Sequence, residues 1–358
     1  MELSSFTFIL TNQCNFRCAY CYQKKGKQRL DSVILSRTIE FFMPYLAQNC
    51  FIDFYGGEPL LAFDEIRRTV GHMEGLSRKR TLQVRYSLST NGSLLNDCIL
   101  DFLEEYEFSV LLSFDGLAQD ISRKKGSFDF LVSVIPKILA RPRISLKTNS
   151  VFTTETIGFF SNSLKLIAEI GVPKIGVAFS RKAPWTKSSV LRLKKEMALA
   201  RSYFGSRYRK IADLPWADLT EELEKAVYRC PAGLKKMTLA ADGTLWGCFL
   251  FPQYFKGSPN IRESQKYCFG NVDTFIKDHR NIYPQKLMNY LTLRMDCFST
   301  PDGPCAQCDE IKDCFICPVS AALTSRKIGR ISASSCHGAK MWRKEKRLFL
   351  EEFRKSNH

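Results

Sequence analysis

At 358 residues, 45% of them apolar, the chain can build one large domain and a smaller one around a full core, which excludes an intrinsically disordered protein. No apolar run approaches the roughly 18 residues of a membrane span, and the 13 residues before Cys14 are too few for a secretory signal, so a cytoplasmic protein with no membrane partner is expected. In that reducing setting fourteen cysteines point to metal or redox chemistry rather than disulfides, while a net charge of +17 calls for acidic partners, nucleic acid or strongly solvated helix faces.

From Leu3 to about Ser180, short β-rich runs alternate with helical patterns, the signature of a parallel sheet built from βα units. Strands are predicted at 3–10, 50–55, 82–90, 108–115, 143–152 and 173–180. Between them the period changes to helical. Ile34, Thr38, Phe41, Phe42 and Tyr45 share one face, as do Leu95, Ile99, Phe102, Leu103 and Tyr106, and later Ile157, Phe160, Leu164 and Ile167. Right-handed crossovers would place every strand's C-terminal end on one rim. The expected fold is therefore α/β, a partial (β/α)6 TIM-like barrel over 1–183.

A helix-prone connector over 184–229 follows. The densest positive charge lies between Arg181 and Lys210, where ten Lys/Arg face one acid, Glu196. From Cys230 to Cys336 the texture becomes loops rich in Gly, Pro and Cys with little periodicity. Such a small, loop-rich segment, 230–336, is expected to bury little core and to be held by metal sites. A basic amphipathic helix closes the chain over 337–358. Twelve cysteines fall in two regions, and the other two, Cys50 and Cys98, read as packing residues.

The stretch "TNQCNFRCAYCYQ" places Cys14, Cys18 and Cys21 on the loop after the first strand, three thiols where a closed metal site wants four. Three thiolates on a [4Fe-4S] cube leave one iron open, and an open position separates a reactive centre from a structural one. The spacing, with Tyr20 as the aromatic before the third cysteine, resembles the signature of the radical S-adenosylmethionine superfamily. That resemblance implies a [4Fe-4S] cluster whose open iron is chelated by S-adenosylmethionine. It also implies a low-potential electron donor such as ferredoxin or flavodoxin, and cleavage of the sulfonium to a 5′-deoxyadenosyl radical. "FYGGEPLL" resembles the family's GGEP motif, which implies that Gly56, Gly57, Glu58 and Pro59 meet the methionine amino group. Two glycines would let backbone approach the ligand closely, and a cation wants a carboxylate or carbonyl partner. By the same resemblance Ser89, Asn91, Ser113 and Asp115 are expected at the ribose and methionine portions of the cofactor, and Arg123 at its carboxylate. Short polar side chains at strand ends also suit ordinary turns.

Farther along, Cys230, Cys248, Cys305, Cys308, Cys314, Cys317 and Cys336 occur in an order that closely resembles the SPASM auxiliary-cluster domain of peptide- and protein-modifying radical enzymes such as anaerobic sulfatase maturases. The ligand sharing it implies is Cys305, Cys308, Cys314 and Cys336 for one [4Fe-4S] cluster and Cys230, Cys248 and Cys317 for another. The second set is one ligand short. Cys268 or Cys297 could complete it, its iron could be open to substrate or water, or the cluster could be absent, so one or two auxiliary clusters are expected. Two close Cys-x2-Cys pairs could instead form a tetrahedral zinc site. In sulfatase maturases an aspartate follows the cysteine equivalent to Cys248 and serves as a base. Here Phe249 stands there, which leaves Asp242, Asp296 and Asp302 as candidate bases, each also readable as a turn residue.

The function these features imply is hydrogen abstraction from a peptide or protein residue, giving oxidation or a crosslink. With so few residues before Cys14, a separate peptide-recognition protein or the basic surface would have to hold the substrate. Two alternatives stay open: the same chemistry on a small molecule or RNA, and a non-enzymatic iron-sulfur or zinc protein that binds nucleic acid.

Overall fold

In the computed structural model, residues 1–180, 185–220, 226–256 and 260–356 are described. Arg181 and Lys182 of the basic run, and the expected boundary at 183/184, lie outside them. Six strands, β1 (Leu3–Thr11), β2 (Leu46–Gly56), β3 (Gln83–Thr90), β4 (Ser109–Ser113), β5 (Ser145–Phe152) and β6 (Ile175–Phe179), pair in parallel and in chain order. Beyond β1 the sheet continues into β7 (Lys236–Leu239), parallel to it, and the antiparallel β8 (Thr244–Trp246) and β9 (Cys268–Asn271), nine strands in all. Because β1 to β6 are parallel, the segments that follow them emerge on one edge, and that edge carries the cysteine loop.

The connecting helices are α1 (Ser32–Phe42), α2 (Phe63–Ser77), α3 (Asp97–Glu105), the short α4 (Gln119–Ser122), α5 (Ser127–Leu139) and α6 (Phe160–Glu169). Their caps are legible in the sequence: Asp31 accepts from the Val33 and Ile34 amides, and Asn96 from that of Ile99. Their apolar stripes bury against the outer face of the sheet, where Phe6, Phe8, Phe42, Phe54, Tyr86 and Phe108 form a continuous aromatic layer. The inner face is polar in its middle layer. Thr7, Asp53 and Ser87 lie in register across three strands, and the Asp53 carboxylate accepts from Ser5, Thr7 and Ser87. Cys50 is fully buried, as expected, but Cys98 is exposed on α3 and lies outside the core.

After β6, α7 (Lys187–Arg207) packs on α6, and α8 (Ala217–Thr220) lies against β6. The later segment holds α9 (Leu250–Phe255), α10 (Ile261–Tyr267), α11 (Val272–Leu291), α12 (Pro318–Ser325) and α13 (Ala333–Ser356). The expectation that it buries little core is overturned: Trp246, Phe251, Phe255, Tyr267, Phe269 and Tyr290 form a second aromatic cluster. Tyr290 is its pivot. Its ring is wedged against Gly233 and Gly247, where an added Cβ would lie 2.6 and 2.4 Å from ring atoms. Its hydroxyl accepts from the Gly247 amide at 2.8 Å and donates to the Tyr267 carbonyl at 2.5 Å. Part of the α1 stripe serves this half too, with Phe41 against His279 and Phe42 stacked on Phe275 of α11.

Candidate active site

Cys14, Cys18 and Cys21 lie on the loop after β1, half-buried and unpaired, with thiols in electrostatic range of one another. They line an open cavity of about 470 Å³ together with Gln13, Arg17, Gln23, Lys25 and Gly26. Burial pushes the Cys14 and Cys18 thiols up, so their thiolate forms need a compensating cation.

Four neighbouring segments hold this loop in place. The Gly57 and Glu58 amides donate to the Thr11 and Gln13 carbonyls at 2.9 and 2.8 Å. An added Cβ at Gly56 would lie 2.4 Å from the Thr11 oxygen, and at Gly57 2.0 Å from the Gln13 oxygen. The close approach that demands these glycines is therefore made by the cysteine loop itself, not only by a ligand. Pro59 then opens a buried 3-10 turn whose first free amide, on Leu60, is capped by Glu58. From β3, the Asn91 side chain donates to Asn15 at 2.8 Å and lies 4.0 Å from the Cys14 sulfur, while Asn15 donates to Ser93. From α4, the Ser122 carbonyl accepts from the Ala19 amide at 2.8 Å. From the end of β4, Asp115 Oδ2 accepts from the Tyr20 hydroxyl at 2.6 Å.

Two buried charged groups complete the rim. Glu58, 1% exposed, accepts from Leu60 N and Thr90 Oγ1 on one oxygen and from Asn91 N on the other. Burial pushes its carboxyl up to about 7 against the pull of these donors. Three donors leave one of a carboxylate's roughly four lone-pair positions open. Asp115, fully buried, accepts from Arg123 at 2.9 Å and from the Val151 amide at 2.8 Å. Arg123 also reaches the Asn149 carbonyl, and its guanidinium lies over the Tyr20 ring at 5.3 Å. Its Nε is buried without a partner among the described residues, an orphan donor beside the cysteines. Ser89 and Ser113 are half-buried at the ends of β3 and β4 and take no part in these clamps.

Sequence reasoning missed Asn15, Tyr22 and Tyr55. The Tyr22 and Tyr55 hydroxyls are 2.5 Å apart, the Tyr55 ring packs on Phe249 at 4.4 Å, and Cys21 and Cys248 both lie in electrostatic range of Tyr55. This pair stands between the two cysteine fields. A tyrosine at a strand end reads simply as a β former, so only its position one residue before the Gly-Gly pair could have marked it.

The later cysteines assemble as two sets. Cys305, Cys308, Cys314 and Cys336 border a cavity of about 370 Å³, with the other three thiols in range of Cys305. Cys230, Cys248 and Cys317 form the other set, in which burial raises Cys230 to about 11 and Cys248 to about 12. Cys317 thus lies away from the two-pair zinc arrangement. No group of three or more ligating side chains closes on a single ion among the described residues. The Tyr228 hydroxyl hydrogen-bonds Cys230 and is in range of Cys248 and Cys317. Cys268 instead neighbours Asp242 and Lys286, and Cys297 is exposed beside Asp296, so neither joins this set. The three candidate bases are dispersed. Asp242 accepts from Thr244 in the β7–β8 turn, Asp296 pairs with Arg294, and Asp302 borders the four-cysteine cavity. None lines the cavity over Cys14, Cys18 and Cys21.

Residues 8–156, which hold the cysteine loop and the clamps around it, match the family model of the Radical SAM superfamily. Among curated proteins, the chain is 26% identical over 197 residues to the radical SAM cyclopropyl synthase TigE of Paramaledivibacter caminithermalis, covering 49% of this chain and 41% of that one. It is 28% identical over 171 residues to a cysteine-type anaerobic sulfatase-maturating enzyme of Clostridium novyi, covering 43% and 45%. These matches span less than half the length of either relative. In fold, the chain superposes on native anSMEcpe with bound AdoMet and Kp18Cys peptide with a TM-score of 0.73 at 15% identity, over 98% of both chains. No helix is long and apolar enough to cross a membrane among the described residues.

A radical SAM domain works with a [4Fe-4S] cluster and S-adenosylmethionine. The residues present fit both: three thiols lining one cavity with no fourth beside them among the described residues, an orphan buried guanidinium N–H, and a buried carboxylate with a free acceptor position.

Proposed function

We propose that this chain removes a hydrogen atom from a residue of a peptide or protein, as a radical S-adenosylmethionine maturase. The bound cluster and cofactor would supply hydrogen-atom abstraction, radical chemistry that closed-shell side chains do not start on their own. Cys14, Cys18 and Cys21 would hold the cluster and leave one iron free. Glu58 and Arg123 would meet the ammonium and carboxylate of the methionine portion, and Ser89, Asn91 and Ser113 the hydroxyls of the ribose. Asp115 orients Arg123 and ties Tyr20 to the barrel wall. Cys305, Cys308, Cys314 and Cys336 would hold one auxiliary cluster, and Cys230, Cys248 and Cys317 a second that lacks a protein fourth ligand among the described residues.

The observation that carries this reading is the orphan Arg123 Nε beside a three-thiol loop clamped by the ends of β2, β3 and β4. A peptide substrate is supported by the full-length likeness in fold to a protein solved with a peptide bound.

The test is anaerobic reconstitution with dithionite and S-adenosylmethionine. Wild type forms 5′-deoxyadenosine and a Cys14→Ala, Cys18→Ala, Cys21→Ala triple variant does not; equal formation by both would refute the assignment. With a candidate peptide deuterated at carbon, deuterium should appear in the 5′-deoxyadenosine. Label transferred only from a nucleotide or other small molecule would favour the non-peptide alternative.

A further inference from the structure

The four-cysteine cavity opens beside the basic helix α13. On α13, Cys336, Lys340, Lys344 and Arg347 follow one another at helical spacing and so share one face. Lys340, Lys344 and Arg347 are exposed, whereas Glu345, Phe349 and Phe353 turn inward and bury. Lys340 and Arg343 line the cavity and lie in electrostatic range of the Cys336 thiol. Arg343 is held there by Glu310, which accepts from two of its nitrogens at 2.6 and 3.1 Å. The opposite loop rim carries Asp302 and Asp309. The charge across this mouth is thus divided, positive along the helix and negative on the loop.

Such a division fixes where an acidic partner can sit. It is drawn onto the helix and repelled from the loop, which brings its surface against the Cys336 end of α13. No Phe, Tyr or Trp is exposed on α13 among the described residues, so the face lacks the large stacking platforms of a single-stranded nucleic acid site.

We propose that the Lys340, Lys344 and Arg347 face of α13 docks an acidic one-electron carrier protein, an iron-sulfur or flavin donor, which reduces the centre held by Cys305, Cys308, Cys314 and Cys336. The inference rests on the auxiliary cluster assigned above. One electron leaves the donor and one is gained by the cluster; no bond is made or broken and no proton moves. Arg347 and Lys344 steer the encounter, and Lys340 with the Arg343–Glu310 pair forms the contact nearest the thiols.

The experiment compares reconstituted wild type with a Lys344→Glu, Arg347→Glu double variant, both sites lying outside the cysteine cavity. Cluster bleaching is followed by stopped-flow with flavodoxin hydroquinone and, separately, with dithionite. Binding of oxidised flavodoxin to protein without clusters is measured by fluorescence anisotropy. At low salt the double variant should be reduced by flavodoxin about tenfold or more slowly and bind correspondingly weaker, and the gap should close as the Debye length shrinks toward about 3 Å near 1 M salt. Dithionite should bleach both proteins at one rate. Unchanged flavodoxin kinetics and binding in the variant would overturn the proposal, as would tight, salt-dependent binding of a single-stranded RNA lost in the variant while flavodoxin kinetics stay the same. Absence of any dithionite-bleachable cluster in a Cys14→Ala, Cys18→Ala, Cys21→Ala background would instead remove the auxiliary cluster on which the inference stands.

Discussion

The Tyr20 hydroxyl donates to Asp115 at 2.6 Å, so one buried carboxylate at the end of β4 holds both the cysteine loop and, through its other oxygen, Arg123. Replacing Asp115 by alanine frees the loop and leaves Arg123 charged, buried and unpaired. A loss of about 3–5 kcal/mol is expected, read as a large drop in thermal midpoint by circular dichroism. Tyr20→Phe removes a single charge-assisted hydrogen bond and should cost roughly 1.5–3 kcal/mol, with iron content retained. Equal midpoints for the two variants would show that Arg123 is not held by Asp115.

Gly57→Ala tests the packing of loop on loop. Its Cβ would meet the Gln13 backbone oxygen at 2.0 Å, and backbone cannot rotate away as a flexible side chain can. The cysteine loop must shift, so the variant should lose the iron proposed for Cys14, Cys18 and Cys21 and keep that proposed for the later cysteines. Iron analysis should then show about four irons fewer per chain. Full iron content would mean that the loop accommodates the extra carbon.

Glu58 carries a sign-definite pH effect. Its folded-state carboxyl lies near 7, above an unfolded value of 4.5, because burial opposes ionisation. Below about pH 4.5 both states are protonated and the group is neutral to stability. Between there and pH 7 the native state holds the proton longer, so stability falls as pH rises through that window. Melting wild type and Glu58→Gln from pH 5 to 7.5 should give a steeper downward slope for wild type. Parallel slopes would place the Glu58 carboxyl at an ordinary value.

Tyr290→Phe keeps the ring that fills the space between Gly233 and Gly247 but strips the Gly247 amide of its acceptor. A buried amide left without a partner costs about 1–3 kcal/mol. Tyr290→Ala adds a cavity and should cost more, about 3–5 kcal/mol by analogy with other aromatic truncations. Chemical denaturation measures both, and an alanine variant no less stable than the phenylalanine one would remove Tyr290 as the pivot of the second core.

Flanking turns and strict periodicity made β1 to β6 and the helices α1, α3 and α6 legible, because a period of 2 or 3.6 is written locally in the chain. The second aromatic core was not legible for the same reason. Trp246, Tyr267, Phe269 and Tyr290 come from four elements, and their packing partners lie far away in sequence. The region looked like loop because its regularity is in space.

The sequence by itself determined the chemistry on offer. It contained three thiols without a fourth after the first strand, a Gly-Gly-Glu-Pro turn after the second, and seven further cysteines in a telling order. Spacing along a backbone of fixed dimensions limits which side chains can converge, and that limit holds before any folding. Only the tertiary structure decided the partners. It joined Glu58 to Thr90 and Asn91, gave Asp115 to both Tyr20 and Arg123, and kept Cys268 and Cys297 away from Cys230 and Cys248. These are contacts across strands and domains, set by which faces must bury together, and no local pattern records them.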